Sequence, residues 1–273
     1  MKIPFVQIDA FADAPFSGNP AAVMPLGAWL PDAVLQAIAE ENNLAETAFL
    51  VPCPDPETAD FDLRWFTPGV EVALCGHATL ASGHLILSAV PTMERVRFST
   101  VKAGVLVVTR AGDGYALSLP AWAATDPVTG ARFDGFAAAL RAVPQAILAR
   151  GTDYYMAVFA SAAEVRALDP DFRAIIDLQR GDDIMVIATA PGDGESDVVS
   201  RVFVPEAGVD EDSVTGSAHA IITPYWAERL GRASFTAWQA SKRGGHVGCR
   251  LDGDRAILSG TCRTVITGEF SLV

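Results

Sequence analysis

Basic residues are scarce in this chain. It has 20 Lys and Arg against 33 Asp and Glu among its 273 residues, so its formal net charge at pH 7 is −13. Phosphate backbones are bound by clustered Lys and Arg, so this balance argues against a nucleic-acid partner. The acidic residues are scattered along the chain, which is typical of a solvated protein surface.

Cysteine and long apolar runs are also scarce. The chain has only four cysteines, and no two of them have CxxC spacing: Cys53, Cys75, Cys249 and Cys262. So few cysteines in so long a chain argue against a disulfide framework. No apolar run is long enough to span a membrane, and residues 1–9 do not have the pattern of a signal peptide. We therefore expect a cytoplasmic protein without a membrane partner.

Signatures of cofactor sites are missing as well. The chain contains neither Gly-x-Gly-x-x-Gly nor a phosphate-binding loop, so no nucleotide cofactor is indicated. Cys75-x-His77 is too short a signal for a metal site, and the other histidines, at 84, 219 and 246, show no ligand spacing. The sequence therefore predicts no cofactor and no bound metal.

Length and patterning predict two domains. A chain of 273 residues exceeds the common size of a single domain, and half of its residues are hydrophobic, which is enough for sizeable cores. The loop at Pro120–Trp122 is the predicted boundary, which gives an N-terminal lobe of residues 1–121 and a C-terminal lobe of residues 122–273. Whether the last strand, about residues 262–273, returns to the N-terminal lobe is left open.

Hydrophobic periodicity predicts strands and helices in a similar order in the two halves. The predicted strands are residues 5–11, 21–24, 46–51, 61–66, 154–159, 183–188, 200–204, 247–251, 256–260 and 264–270, with a meander over residues 96–119. The predicted helices are residues 31–43, a helix after Gly76, residues 136–143, 163–168 and 172–179, and a helix from Gly216 to about residue 230.

Residues 71–81 and 211–221 share one layout. In each stretch an acid stands five residues before a glycine, Gly76 or Gly216, and an apolar helix follows the glycine. The two glycines are 216 − 76 = 140 residues apart, which is close to half the chain. The start of a helix has free backbone N–H groups and the positive end of a dipole, so it suits an anion.

The repeat extends upstream of both glycines. Residues 64–68 and 201–205 both read Arg-x-Phe-x-Pro, which argues against a chance match of the two motifs. We infer two similar halves that hold the two helix starts face to face, so that a carboxylate or another anion binds between them.

Glu46 opens an otherwise apolar strand, which is an awkward place for a carboxylate. Burial without a partner costs several kcal/mol or raises the pKa until the group is neutral. Glu46 is therefore either a strand-end acid that reaches solvent or a general acid/base poised by its apolar setting. From this residue alone, the solvent-exposed interpretation is favoured.

Three polar side chains stand at the two helix starts. His77 follows Gly76, where it is either a simple cap or a proton-transfer group, and the positive end of the dipole favours its neutral imidazole. Ser217 is its counterpart in the second half and can cap its own helix. Asp212 stands before that helix, where a negative charge is favourable whatever its function.

Cys75 offers a second chemistry. A cysteine beside a glycine at a helix start is a candidate low-pKa thiol, and two such thiols facing each other would make a two-base racemase. The matching position in the second half is Thr215, so the second thiol is absent. A racemase or epimerase that uses Cys75 as one base stays open as an alternative.

Several stretches follow one another in order along almost the whole chain, namely residues 9–11 with 18–23, 43–49, 64–68 with 71–79, and 211–218. In this specific combination of stretches, the chain resembles the PhzF, or phenazine biosynthesis-like, family, which shares the fold of diaminopimelate epimerase. One departure is Ser213, where the family usually has proline after the aspartate.

The resemblance implies an α+β fold of two pseudo-symmetric lobes. Each lobe is a curled, mostly antiparallel sheet around a central helix, and the active site lies in the cleft between the lobes. The resemblance also implies that Glu46 is the acid/base, with further residues around the substrate. The catalytic candidates are Glu46, His77 and Asp212, and the substrate-binding candidates are Gly76, Gly216, Ser217, Cys75 and Thr215.

The resemblance further implies a homodimer that isomerises a substrate similar to trans-2,3-dihydro-3-hydroxyanthranilate without metal or organic cofactor. We therefore predict an isomerase that moves a proton between carbons of a small carboxylated substrate by Glu46 acid/base catalysis. The alternatives are the racemase or epimerase based on Cys75 and a catalytically silent small-molecule binding protein. Substrate identity does not carry over from the family.

Overall fold

The computed structural model describes residues 1–178 and 184–272 and has a mixed, mostly antiparallel α+β fold. The predicted ends at residues 179, 183 and 273 lie outside the described residues. None of the described helices is long and apolar enough to cross a membrane.

The strands, in chain order, are β1 (Lys2–Ala10), β2 (Asn19–Pro25), β3 (Glu46–Pro52), β4 (Phe61–Phe66), β5 (Glu71–Val72), β6 (Arg95–Thr100), β7 (Gly104–Ala111), β8 (Gly114–Pro120), β9 (Asp126–Pro127), β10 (Ala146–Arg150), β11 (Tyr154–Val158), β12 (Met185–Pro191), β13 (Val198–Val204), β14 (Val209–Asp212), β15 (Ser234–Gln239), β16 (Gly245–Asp252), β17 (Arg255–Gly260) and β18 (Cys262–Ser271). The α-helices are α1 (Asp32–Asn42), α2 (Gly76–Ala89), α3 (Gly130–Leu140), α4 (Ala162–Arg166), α5 (Phe172–Asp177) and α6 (Gly216–Leu230), and a 3₁₀ helix covers Pro205–Ala207.

Contacts divide the chain into two compact units. The first unit contains Met1–Leu119 and the chain from Ile257 onward, and the second contains Pro120–Ala256. The predicted lobes, residues 1–121 and 122–273, stay a prediction, because this grouping does not test whether either segment folds by itself. Strand β18 pairs antiparallel with β1 in the first unit.

The sheet of the first unit follows a simple order of pairings. Strands β1 and β2 are antiparallel, β2 and β3 are parallel, and β4 is antiparallel to both β3 and β5. Strand β4 then pairs parallel with β6, which opens the antiparallel meander of β6, β7 and β8. The predicted meander over residues 96–119 is therefore confirmed.

The second unit repeats this order. Strands β10 and β11 are antiparallel, β11 and β12 are parallel, and β13 is antiparallel to both β12 and β14. Strand β13 pairs parallel with β15, and β15 pairs antiparallel with β16. The internal repeat inferred from two short motifs therefore extends to the strand pairing of both units.

One helix lies at the centre of each unit. Helix α2 is buried along most of its length and contacts β1, β2, β3, β6, β7 and β18. Helix α6 is also buried along most of its length. A helix that is apolar on every side must be enclosed by other elements, and in the first unit the strands of the sheet enclose it.

Pro224 lies inside α6 but does not interrupt it. Proline has no backbone N–H, so the carbonyl of Ala220 lacks its usual helical donor. The backbone N–H of Trp122 donates to this carbonyl at 3.1 Å and replaces the missing bond. The predicted helix from Gly216 to about residue 230 is therefore confirmed despite its proline.

Some elements differ from their predictions. Helix α3 begins at Gly130, six residues before the predicted start, and ends when Arg141 adopts a left-handed φ of 52°. Strand β10, which pairs antiparallel with the next strand β11, is not predicted, and for β15 the sequence indicates only that the last forty residues are strand-like. Strand β15 also pairs parallel with β13, which precedes α6 in the chain, and local periodicity does not report such a pairing.

The packing of α2 against the sheet requires a small residue at position 83. Gly83 is buried, and a Cβ atom built on it would lie 2.7 Å from the Cβ of Val108 on β7. Val108 is branched at this atom and cannot swing away. We expect Gly83→Ala to lower the free energy of unfolding by about 1–3 kcal/mol, measured by denaturant unfolding.

Two variants serve as controls for this expectation. Gly135→Ala in α3 would meet only the end of the Leu178 side chain, so it should be neutral or slightly stabilising. Combining Gly83→Ala with Val108→Ala should cost less than the sum of the two single changes. A Gly83→Ala protein as stable as the parent would contradict this account of the packing.

Candidate functional site

The first unit brings together Glu46, Cys75 and His77. Glu46 is the first residue of β3, Cys75 is the N-cap of α2, and His77 lies in the first turn of that helix. Nε2 of His77 is 2.9 Å from Oε2 of Glu46, and Sγ of Cys75 is 3.5 Å from Nδ1 of His77. Three candidates from separate parts of the sequence therefore form one cluster.

The cluster is largely enclosed. His77 and Cys75 are buried, whereas the Glu46 side chain keeps 18% of its surface exposed. The Oε2 atom of Glu46 is buried without an aligned hydrogen-bond donor, so its 2.9 Å contact with His77 is an ion-pair contact rather than a directed hydrogen bond. Packing covers most of the Glu46 side chain, which favours the acid/base interpretation over the solvent-exposed one.

Asn19 is a fourth member that sequence reasoning did not single out. It is the first residue of β2 and is fully buried, and its side-chain nitrogen lies 3.1 Å from Nδ1 of His77. Ala21 of the same strand pairs with Glu46, which places both residues at one end of the sheet. The signal available was a polar residue within a turn before an apolar strand.

The charge state of His77 differs from expectation. Burial lowers its pKa, but interactions with its neighbours, including the Glu46 carboxylate at 2.9 Å, raise it by more, so the pKa lies well above its usual value. This direction disfavours the neutral imidazole that the helix dipole predicts. A carboxylate at 2.9 Å outweighs the partial charge of a helix start.

The thiol of Cys75 also differs from expectation. Burial and the nearby Glu46 carboxylate raise its pKa to about 11, against a partial opposing effect of His77. The thiol is therefore protonated near neutral pH, and the interpretation of Cys75 as a low-pKa nucleophile is wrong. A helix start lowers a thiol pKa only where burial does not dominate.

The second unit assembles Asp212, Thr215 and Ser217 at the start of α6. The hydroxyl of Thr215 donates to Oδ2 of Asp212 at 2.5 Å, and the N–H of Ser213 donates to Oδ1 at 2.9 Å. A proline at position 213, as is usual in the family that the chain resembles, could not make this second bond. Ser213 thus helps to orient the carboxylate that the sequence identified.

Gln239 connects the parts of this loop. It is fully buried, its Oε1 accepts from the N–H of Thr215 at 2.8 Å, and its Nε2 donates to the carbonyl of Asp212 at 2.8 Å. Tyr154 also lies beside Ser217, and burial raises the pKa of its phenol. Sequence reasoning missed both Gln239 and Tyr154, because each comes from a strand far from the motif.

The two units differ at one decisive position. Glu46 begins β3 and pairs with Ala21 on the parallel strand β2. Its counterpart is Met185, which begins β12 and pairs with Tyr154 on the parallel strand β11. The repeat therefore supplies the carboxylate in the first unit only.

Both helix starts leave backbone amides available. Cys75 and Thr215 occupy the N-cap positions of α2 and α6 with similar extended dihedrals, φ −137° and ψ 110° against φ −112° and ψ 108°. Neither side chain caps its helix by a hydrogen bond. The amides of Gly76 and Gly216 at the first helical positions thus need another acceptor, as at known anion sites.

A matching ion pair precedes each helix start. Arg64 donates two hydrogen bonds of 2.7 Å to Glu71, and Arg201 donates bonds of 2.7 and 2.9 Å to Glu211. Each guanidinium also lies 5.1 Å from the ring of the phenylalanine two residues later. In each half of the chain, the Arg-x-Phe pattern and the acid before the glycine are therefore joined by one ion pair.

The cluster of the first unit also has the composition of a metal site. One donor atom each from Glu46, Cys75 and His77 lie within 4.8 Å of one another. Carboxylate, thiolate and imidazole are all accepted ligands of Zn²⁺. The sequence did not reveal this cluster, because the third donor, Glu46, lies on β3 and is distant in the chain from Cys75 and His77. The prediction that the protein binds no metal stays a prediction.

Comparisons with known proteins find one family of similar proteins along nearly the whole chain. A family model described as phenazine biosynthesis-like protein matches residues 8–269. An uncharacterized isomerase of Pseudomonas aeruginosa is 44% identical over 274 residues, which cover 100% of both chains. A crystal structure of a PhzF-family phenazine biosynthesis protein from Enterococcus faecalis matches with a TM-score of 0.87, 39% identity and 100% coverage of both chains.

A more distant structure shares the fold alone. It is a hydroxyproline epimerase from Agrobacterium vitis with bound trans-4-hydroxy-L-proline, and it matches with a TM-score of 0.61 and 13% identity, covering 98% of this chain and 92% of that one. The predicted α+β fold related to epimerases is therefore confirmed.

His219 of the second unit yields a pH-dependent expectation. It is fully buried, its Nδ1 lies 2.8 Å from the carbonyl of Thr215, and burial lowers its pKa to about 4. Its unfolded-state pKa is about 6.5, so below that value the unfolded chain binds more protons and stability falls as pH falls. We expect this group to remove about 3 kcal/mol of stability between roughly pH 7 and pH 4.

The measurement compares the parent with His219→Asn, whose amide can still donate to the Thr215 carbonyl. Denaturant unfolding across this pH range gives the stability difference between the two proteins, in which other titrating groups cancel. The advantage of the parent should shrink as the pH falls toward 4. Parallel stability curves would contradict the low pKa of His219.

Proposed function

Because this chain belongs to the PhzF, or phenazine biosynthesis-like, family, we propose that it is an isomerase that moves a proton between carbons of a small carboxylated substrate without a cofactor. The observation that carries this proposal is the enclosed Glu46–His77 pair beside the uncapped start of α2. A carboxylate held in an apolar site next to free amides suits abstraction of a proton next to an acid group.

Glu46 is the single acid/base in this scheme. It removes a proton from one carbon, the electron pair moves into the adjacent π system, and Glu46, whose bound proton exchanges with solvent, delivers a proton to another carbon. The substrate and product are isomers, so no co-reactant is needed. The absence of a counterpart at Met185 supports one base rather than two.

His77 holds Glu46 ready for this role. With its raised pKa, the imidazolium stabilises the ionised carboxylate before proton abstraction. The side-chain amide of Asn19 lies 3.1 Å from the other ring nitrogen, and with this amide turned over its oxygen accepts from the Nδ1–H of the imidazolium and orients the ring. His77 is therefore proposed to control both the charge and the direction of the Glu46 side chain.

The helix starts are proposed to bind the carboxylate of the substrate. Each carries roughly half a positive charge and uncapped amides, at Gly76 and at Gly216. Asp212, Thr215 and Ser217 at the start of α6 are proposed to bind the substrate as well.

Homodimerisation belongs to the same proposal and rests on the family resemblance, whereas the cytoplasmic location remains an expectation from the sequence.

We expect Glu46→Gln to lower the rate of proton exchange about 10²–10⁴-fold, because Gln cannot accept the proton. The measurement follows uptake of solvent deuterium by NMR in a panel of cyclic and acyclic amino and hydroxy acids. The panel includes trans-2,3-dihydro-3-hydroxyanthranilate and trans-4-hydroxy-L-proline. Full exchange by Glu46→Gln on an accepted substrate would end the assignment of Glu46.

Two further variants sharpen this experiment. Glu57→Gln changes an exposed glutamate of the first unit and should leave the rate unchanged. Asp212→Asn tests the second carboxylate candidate, so a loss of exchange in this variant supports a role for Asp212 in the reaction. An unchanged rate in Asp212→Asn would exclude that role.

A racemase that uses Cys75 is the second candidate, because this thiol lies beside Glu46 and His77. Its high pKa and the threonine at position 215 both disfavour it. We therefore expect Cys75→Ala to retain exchange within about tenfold of the parent, well short of the loss that follows removal of a positioned base. Loss of exchange together with inversion at a single stereocentre in the parent would favour the racemase.

A silent binding protein is the remaining alternative. It would bind a carboxylate tightly, seen by calorimetry, without any deuterium uptake into that ligand.

A further inference from the structure

Among the residues that the structure describes, the Glu46–Cys75–His77 cluster is the group of three acidic, histidine or cysteine side chains whose donor atoms converge. Proton transfer by Glu46 uses His77 but does not require the Cys75 sulfur. We propose that the cluster is a Zn²⁺ site and that bound Zn²⁺ switches the acid/base site off. Binding of the ion stands on the geometry alone, whereas the inhibitory effect rests on the proposed function.

The donor atoms are close to tetrahedral spacing. Ligand atoms around tetrahedral Zn²⁺ lie roughly 3.3–3.6 Å apart, given Zn–S and Zn–N bonds of about 2.3 and 2.0 Å. Nε2 of His77 is 2.9 Å from Oε2 of Glu46 and 4.0 Å from Sγ of Cys75. Small rotations of the carboxylate and the thiol would bring all three atoms to one ion.

The surroundings resemble those of a metal-binding histidine. Such a residue binds the ion through one ring nitrogen and directs the other to a hydrogen-bond partner that fixes the ring. His77 directs Nε2 toward Glu46 and Nδ1 toward the side-chain amide of Asn19. If the amide of Asn19 is turned over, its oxygen accepts the Nδ1–H and orients the ring for an ion at Nε2.

The donor set also selects the ion. A thiolate and an imidazole favour Zn²⁺ over Mg²⁺ or Ca²⁺, which prefer oxygen ligands. Coordination forms a Zn–S bond as the Cys75 S–H proton leaves to solvent, and an imidazolium likewise releases its Nε2 proton. With one thiolate and one carboxylate, the loaded site is electrically neutral, which suits its burial.

Bound Zn²⁺ would directly block the proposed proton transfer by Glu46. The Glu46 oxygen that would accept a substrate proton is then bound to the ion. The fourth position stays open to water or to a substrate carboxylate, which would be held without reacting.

The test uses the full chain, freed of metal by a chelator and then titrated with Co²⁺ as a coloured substitute for Zn²⁺. We expect one ion per chain, with a thiolate-to-cobalt charge-transfer band and the visible bands of a four-coordinate ion. Added Zn²⁺ should displace the Co²⁺ and abolish both signals. Absence of the thiolate band in the parent would overturn the proposal.

Variants assign the ligands. Cys75→Ser should abolish the thiolate band, whereas the matched control Cys53→Ser, a partly exposed cysteine of the same unit, should keep it. Asn19→Ala should weaken Zn²⁺ binding roughly 10–100-fold while the band remains. Persistence of the band in Cys75→Ser would overturn the assignment.

Folding and function are checked separately. If Cys75→Ser does not fold by circular dichroism, Glu46→Gln serves in its place, and it should keep the thiolate band but shift the visible bands of the cobalt. Unchanged visible bands would exclude Glu46 as a ligand. On a substrate found by deuterium exchange, Zn²⁺ should inhibit the parent reversibly, and exchange that continues at saturating Zn²⁺ would disprove the inhibitory role without affecting the binding result.

Discussion

The paired arginine and glutamate before each helix start are the interaction on which both helix starts depend. Each guanidinium is largely buried and makes two parallel hydrogen bonds to its carboxylate, Arg64 to Glu71 and Arg201 to Glu211. Two-pronged pairing fixes both distance and orientation, which a single contact does not. Breaking one partner of such a pair leaves a buried charge, so the geometry is strongly maintained.

Each arginine also reaches a third element. Arg64 pairs with Asp32 at the start of α1, and Arg201 donates to the carbonyl of Leu168 just after α4. The ion pair thus ties a central strand, the chain before the helix start and a neighbouring helical segment together. This explains how uncapped amides at Gly76 and Gly216 keep a defined direction without a side chain to cap them.

The internal repeat supplies two similar helix starts, and differences in the side chains around them make their chemistry unequal. The first unit has Glu46 where the second has Met185. Around the glutamate, burial raises the pKa of Cys75, and the carboxylate holds the pKa of His77 above its usual value. Glu46, Cys75 and His77 together suit proton transfer when no ion is bound and suit binding of Zn²⁺ when the ion is present.

The sequence by itself determined the repeat, the two helix starts and most strands, because these features depend on local spacing. The acid before each glycine, the Arg-x-Phe-x-Pro motif and the alternating strands are all visible without coordinates. Only the tertiary structure decided the protonation of His77 and Cys75, the burial of Glu46, and the roles of Asn19 and Gln239. These depend on atoms that meet from distant segments, and a pKa or a buried hydrogen bond is set by such neighbours rather than by neighbours in the chain.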